Sequence, residues 1–197
     1  PFKSRATEIL FHSIDNIKDL RCYQDIQGNE TKCVCNWNYA RDIIREANIP
    51  YDKVIMLADG LVGGRATIRS ASVGASSQNL GNIFAHELAH TLGLQDEYVT
   101  ESANGAVGEI CDANCCMSAQ CVDWKQVSGT QCIQGCTYTN WYRSTEKSVM
   151  SIGGTEREFN EVSKRFLNKS IDEFTERIPP IITIASPTKG QVVKKGD

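Results

Sequence analysis

HELAHTLGLQDEY, residues 86–98, contains two of the chain's three histidines, four residues apart, with a glutamate directly after the first. On a helix a step of four advances about 6 Å and nearly completes a turn, so His86 and His90 leave the same face. Two ring nitrogens so placed can reach one ion at about 2.0–2.1 Å. Two neutral imidazoles leave a zinc ion strongly Lewis acidic, and the carboxylate of Glu87 stands close enough to take a proton from an attacking water. A catalytic zinc wants three protein ligands and one open position. The remaining histidine, His12, lies far away on a predicted strand. Leu92-Gly93-Leu94 offers a nearer route, because glycine tolerates the positive φ that ends a helix and swings the chain back. The first carboxylate after that turn is Asp96, the expected third ligand, with Glu97 as the alternative.

The competing reading is a solvated amphipathic helix. Ile83, Phe84, Leu88 and Leu92 would face a core, while His86, Glu87 and His90 share the other side. A merely solvated helix has no need of the glycine turn and the acid behind it. The stretch is read as a metal site.

At 197 residues one domain with a real core is expected, and 41% hydrophobic and 23% charged residues are ordinary for a globular protein. The net charge of −3, with no basic cluster beyond Lys194-Lys195, argues against a nucleic-acid partner. No apolar run reaches the length of a membrane span. The chain opens on Pro1 and reads as an excised piece of a longer protein, so nothing follows about targeting. Cys111, Cys115, Cys116, Cys121, Cys132 and Cys136 form one group and Cys22, Cys33 and Cys35 another. Such density suggests disulfides in an oxidising, extracellular or cell-surface setting. A cysteine-ligated zinc site is the rival, but no paired CxxC…CxxC is present. Six cysteines allow about 15 pairings, none preferred here, and the odd count leaves one thiol free or bridged elsewhere. The sequons Asn29-Glu30-Thr31 and Asn168-Lys169-Ser170 agree with export. Calcium is possible in the acidic loops, but no EF-hand spacing indicates it.

Along the chain, 6–15 reads as a strand, and 36–48 as a helix with Tyr39, Ile43 and Ile44 on one stripe, stopped before Pro50. Residues 51–58 read as a buried strand, and 65–73, alternating small and polar residues, as a single edge strand. Residues 80–92 form the helix of the motif. From 98 to 147 periodicity is weak, and crosslinks are expected to replace secondary structure. Thr155 and Glu158 form a capping box for a helix over 155–177, whose apolar face is Phe159, Val162, Phe166, Leu167, Ile171 and Phe174. Pro179-Pro180 ends it. Residues 179–197 read as a linker and the truncated start of a β-sandwich (Ig-like) module.

HExxHxxGxxD resembles the metzincin metallopeptidases, and Asp96 followed by Glu97-Tyr98 is similar to their IgA-peptidase family. The Ser148-Val149-Met150-Ser151 stretch looks like the methionine turn of those enzymes. Further likenesses are YDKVIMLADG, the Gly-Gly before the edge strand, and WYRSTEKSVMS. The resemblance spans about residues 1–178 and implies an α+β zincin fold: a mixed sheet with a backing helix and the zinc helix above, a disulfide-rich irregular half below. It implies one zinc on His86, His90 and Asp96, Glu87 as general base, and Met150 beneath the site. The implied activity is zinc-dependent endopeptidase cleavage of protein substrates; a monomer is expected. Many metzincins have a tyrosine two residues after the turn methionine; Ile152 stands here, leaving Tyr98, Tyr142 and Arg143 as candidates to steady the developing oxyanion. The extended substrate is expected to add a strand to the 65–73 edge. The alternative from another class is a metal-stabilised adhesion module that hydrolyses nothing. Glu87 argues against it, since a structural site needs no base.

Overall fold

Asn36 starts the first helix because its side-chain oxygen accepts from the Tyr39 amide at 3.0 Å, a capping bond that satisfies an otherwise orphaned N–H. The computed structural model describes Phe2, residues 12–14, 20–27, 30–151 and 156–177. The elements are β1 (Tyr23–Gln27), β2 (Glu30–Val34), α1 (Trp37–Glu46), β3 (Val54–Ala58), β4 (Gly64–Ala66), β5 (Ser70–Gly74), α2 (Leu80–Thr91), β6 (Val99–Glu101), β7 (Cys111–Asp112), β8 (Cys115–Cys116), β9 (Ile133–Arg143) and α3 (Glu161–Arg177). This is a mixed α+β chain. Within its described residues no helix is long and apolar enough to cross a membrane. The strand expected at 6–15, apart from 12–14, and the whole 179–197 module fall outside the described residues.

The sheet that carries the site has the order β3-β5-β4, with β3 parallel and β4 antiparallel to β5. On one side, Ala40 and Ile44 of α1 pack with Val54 and Met56 of β3. Helix α2 packs against β5 and β4. The single edge strand expected at 65–73 is in fact two strands joined by a turn. Thr67 makes that turn, its hydroxyl accepting from the amides of Arg69 and Ser70, both at 3.2 Å. Every residue of β5 is buried. Its small side chains suit a central strand lying under a helix, and the same smallness mimics a polar edge in sequence.

The region 98–147 also holds more regular structure than its sequence suggests: a four-stranded sheet in the order β6-β9-β8-β7. Long strand β9 escapes a period-two reading because Gly135 (φ 96°) and Thr137 (φ 58°) break the alternation. Four disulfides close this chain, Cys22–Cys35, Cys111–Cys116, Cys115–Cys136 and Cys121–Cys132, leaving Cys33 free and buried. The two cysteine groups seen in sequence therefore pair only within themselves.

Helix α3 begins at Glu161, not 155. Asn160 is its cap, accepting from the Ser163 amide at 2.8 Å, and Glu158 precedes the helix; Thr155 is outside the described residues. The expected apolar face is otherwise in place, with Val162, Leu167 and Ile171 buried. The sequon at Asn168 lies within this helix, and Ser170 donates to the Leu92 carbonyl at 3.3 Å, so it is not the open loop that an acceptor site prefers.

Candidate metal centre

Helix α2 ends where the motif requires a turn. The Leu94 amide donates to Ala89 O at 3.1 Å and the Gly93 amide to His90 O at 3.0 Å, with Gly93 at φ 105°: the paired bonds of a Schellman cap. Leu94 then packs with Ala89 in the central core beside Val149, Met150, Phe159 and Leu167. The reversal returns Asp96 to the helix face that carries both histidines.

There His86, His90 and Asp96 form a cluster able to hold a metal ion. The two Nε2 atoms stand 3.0 Å apart, and Asp96 Oδ1 lies 3.1 Å from one and 3.3 Å from the other. Four tetrahedral N or O ligands at about 2.0–2.1 Å from a shared ion sit about 3.3 Å apart, so these edges match one face of such a shell. The tautomers agree. His86 Nδ1 donates to Val149 O and His90 Nδ1 to Leu94 O, each at 2.8 Å, and a carbonyl can only accept. Both Nε2 lone pairs are thereby turned to the same point, the outer-sphere arrangement typical of metal-bound imidazoles. Asp96 Oδ1 is buried and meets hydrogen-bond geometry with nothing. Nε2 atoms turned to one point beside a buried carboxylate oxygen fit a cation: a metal ion, or without one a proton held on His90. The side chains keep 11, 18 and 21% exposure, enough for solvent to reach the cluster.

Burial works against a charged His90, but the adjoining Asp96 carboxylate outweighs it and pushes the imidazole up to about 9. Burial would raise Asp96, yet the two histidines hold its carboxyl well below the usual carboxylate range.

Glu87 is 6% exposed and faces β4. A Cβ on Gly64 would stand 2.5 Å from Glu87 Oε1, so only glycine leaves room for this carboxylate. Burial raises its pKa, and His86 and His90 pull against the rise. A desolvated carboxyl beside a cation site has the character of a proton-transfer group.

The other sequence candidates are placed as follows. Met150 is fully buried in the turn after Ser148, accepting from the Glu97 amide at 2.9 Å through its carbonyl, while the neighbouring Val149 carbonyl orients His86. Glu97, the alternative ligand, is turned into the core at 1% exposure, away from the cluster. Arg143 is spent on the carbonyls of Gln134 and Gly135, at 3.0 and 2.5 Å, and Tyr142 packs in the disulfide cluster with Cys116 and Trp124. Neither is brought to the metal cluster. Tyr98 gives its carbonyl to the Thr137 amide at 2.8 Å. His12 is exposed and not part of the cluster; Ile152 is outside the described residues. Sequence reasoning missed Asn114, fully buried, whose amide brackets the Gln95 backbone with bonds of 2.8 and 2.9 Å and so fixes the loop bearing Asp96. No local pattern marks it, since its partner is 19 residues away.

No protein-family model matches this chain, and no curated protein matches it, so the side chains of the site carry the functional reading by themselves.

Proposed function

We propose that this chain is a zinc-dependent endopeptidase acting on extracellular or cell-surface proteins. One observation carries the reading: three ligand atoms converge at 3.0–3.3 Å with both imidazoles locked to present lone pairs, and Glu87 lies beside the first of them. His86, His90 and Asp96 would hold the ion. When bound, zinc supplies Lewis acidity towards a carbonyl oxygen and an acidified water at neutral pH. Glu87 takes the proton of the attacking water and hands it to the departing amine. Gly64, by lacking a side chain, keeps that carboxylate where it can act. Strand β4 is the end strand of the β3-β5-β4 sheet, with β2 packed beside it, and an extended peptide adding to that sheet where β2 leaves backbone exposed would be bound by main-chain hydrogen bonds. Such pairing reads backbone and leaves sequence preference to the surrounding loops.

The resemblance to the IgA-peptidase family of metzincins supports the same assignment, with Met150 in the family's methionine turn. Four disulfides suit an oxidising compartment.

The test is Glu87→Ala against a complex peptide pool, with fragment termini mapped with and without chelator. Zinc content and circular dichroism should match the wild type while cleavage falls at least about a hundredfold, the scale of a lost general base. A wild type that cuts nothing in the pool, or a variant that cuts equally well, ends the peptidase proposal and favours a binding module.

A further inference from the structure

Glu97 buries a carboxylate at 1% exposure, which is costly unless every lone pair is met. It is met by neutral donors from three distant parts of the chain. Ser148 Oγ donates at 2.7 Å, Asn160 Nδ2 at 2.7 and 2.9 Å to the two oxygens, Asn114 Nδ2 at 2.9 Å and Ser163 Oγ at 3.0 Å. We propose that Glu97 is a positioning residue for the metal centre, holding the Met150 turn that orients His86 and the loop that delivers Asp96 as one unit.

The bonding runs to both ligands. Ser148 Oγ, while donating to Glu97, accepts the Met150 amide at 3.0 Å, and the Glu97 amide donates to the Met150 carbonyl at 2.9 Å. Between these two ties lies Val149, whose carbonyl accepts from His86 Nδ1. On the other side, the Asn114 amide that donates to Glu97 also grips Gln95, so the residues before and after Asp96 are tied to one cluster. A group required only to fill the core would be apolar, since a carboxylate here brings desolvation cost without packing gain. What it adds is direction: fixed hydrogen bonds that aim a histidine and a loop. The proposal rests on the zinc reading of the site.

The experiment measures zinc dissociation constants by chelator competition, and visible spectra of the cobalt-substituted protein, for the intact chain with its disulfides formed. Glu97→Gln keeps size but sets an amide N–H against the amide donors. It should remain folded, bind zinc about 10–100-fold more weakly, and shift the cobalt spectrum, as loss of outer-sphere support does. Ser148→Ala should do the same, and the double variant should lose less than the two singles combined. Val162→Ala, a buried α3 change outside the cluster, serves as the stability control: a lower Tm with zinc affinity and cobalt spectrum unchanged. Glu97→Gln with wild-type affinity and spectrum, whatever its Tm, overturns the proposal. If Glu97→Gln fails to fold, Ser148→Ala decides by the same two readouts. A wild type that holds no zinc ends both this proposal and the site reading; a wild type that holds zinc but cuts no peptide ends only the peptidase.

Discussion

The raised pKa of His90 leaves it carrying a proton that a metal bound there would have to displace. Its pKa is raised from 6.5 to about 9, so the stabilisation from its charged form is full below 6.5 and is lost as pH climbs through about 9. Asp96 is shifted the other way: its contribution is present above its ordinary 3.8 and disappears only in strong acid. Chelated protein should therefore lose Tm between pH 6.5 and about 9, and the rise in Tm on adding zinc should widen over that range. A zinc-induced rise that narrows with pH would contradict the assignment of His90 as a ligand. Asp96→Ala, which removes a ligand outright, should weaken zinc binding by more than the 10–100-fold typical of outer-sphere changes, as read by chelator competition. At this scale the sequence is informative where the chemistry is local. His86, Glu87 and His90 share one helix face by spacing alone, and Gly93 announces the return to Asp96. Glu97 is different: its partners lie 17, 51, 63 and 66 residues away, so nothing near it in sequence tells a buried hub from a spare ligand.

Helix α2 works because of what brackets it. Gly93→Ala would put a Cβ at φ 105° and 3.3 Å from the Phe166 ring, costing about 1–2 kcal/mol in denaturant unfolding and loosening the loop to Asp96. An unchanged midpoint would show that the cap is not strained. Gly64→Ala tests the other flank. Its methyl would meet the Glu87 carboxylate and push it aside, so kcat should fall by roughly tenfold to a hundredfold, more than any loss of Tm explains. Equal kcat would remove Glu87 from its position as base. Elements with strong local signals were readable in advance: α1 from its Tyr39, Ile43 and Ile44 stripe and Pro50 stop, α2 from its motif. Strands β4 and β5 were not separable, because Ser70, Ala71 and Ser72 look polar and small whether they lie at an edge or under a helix. Strand β9 was hidden by two positive-φ residues, and the start of α3 by the fuller Thr155–Glu158 capping box, since Asn160 caps with its own side chain and has Ser163, not an acid, three residues on.

Across the whole molecule the disulfide-linked sheet and the candidate metal site are joined at Thr137. Its amide and hydroxyl donate to the Asp96 carbonyl at 3.0 and 3.2 Å, one residue after Cys136, which is bonded to Cys115. Replacing both of these cysteines by serine opens a loop with a separation of 21 residues and should cost about 3 kcal/mol, or roughly 6–12 °C in Tm. Zinc affinity should fall with it; a lower Tm with full affinity would show the two to be independent. Which cysteines pair was beyond the sequence, since connectivity depends on strand register, as where Cys111 faces Cys116 across β7 and β8. The most direct test of the metal centre itself is zinc K-edge X-ray absorption on protein loaded and then gel-filtered. One zinc per chain is expected, in a four-coordinate shell of nitrogen and oxygen at about 2.0–2.1 Å with scattering from two imidazoles. A chain that leaves the column without zinc, or a sulfur shell at about 2.3 Å placing the ion among the cysteines, would contradict it.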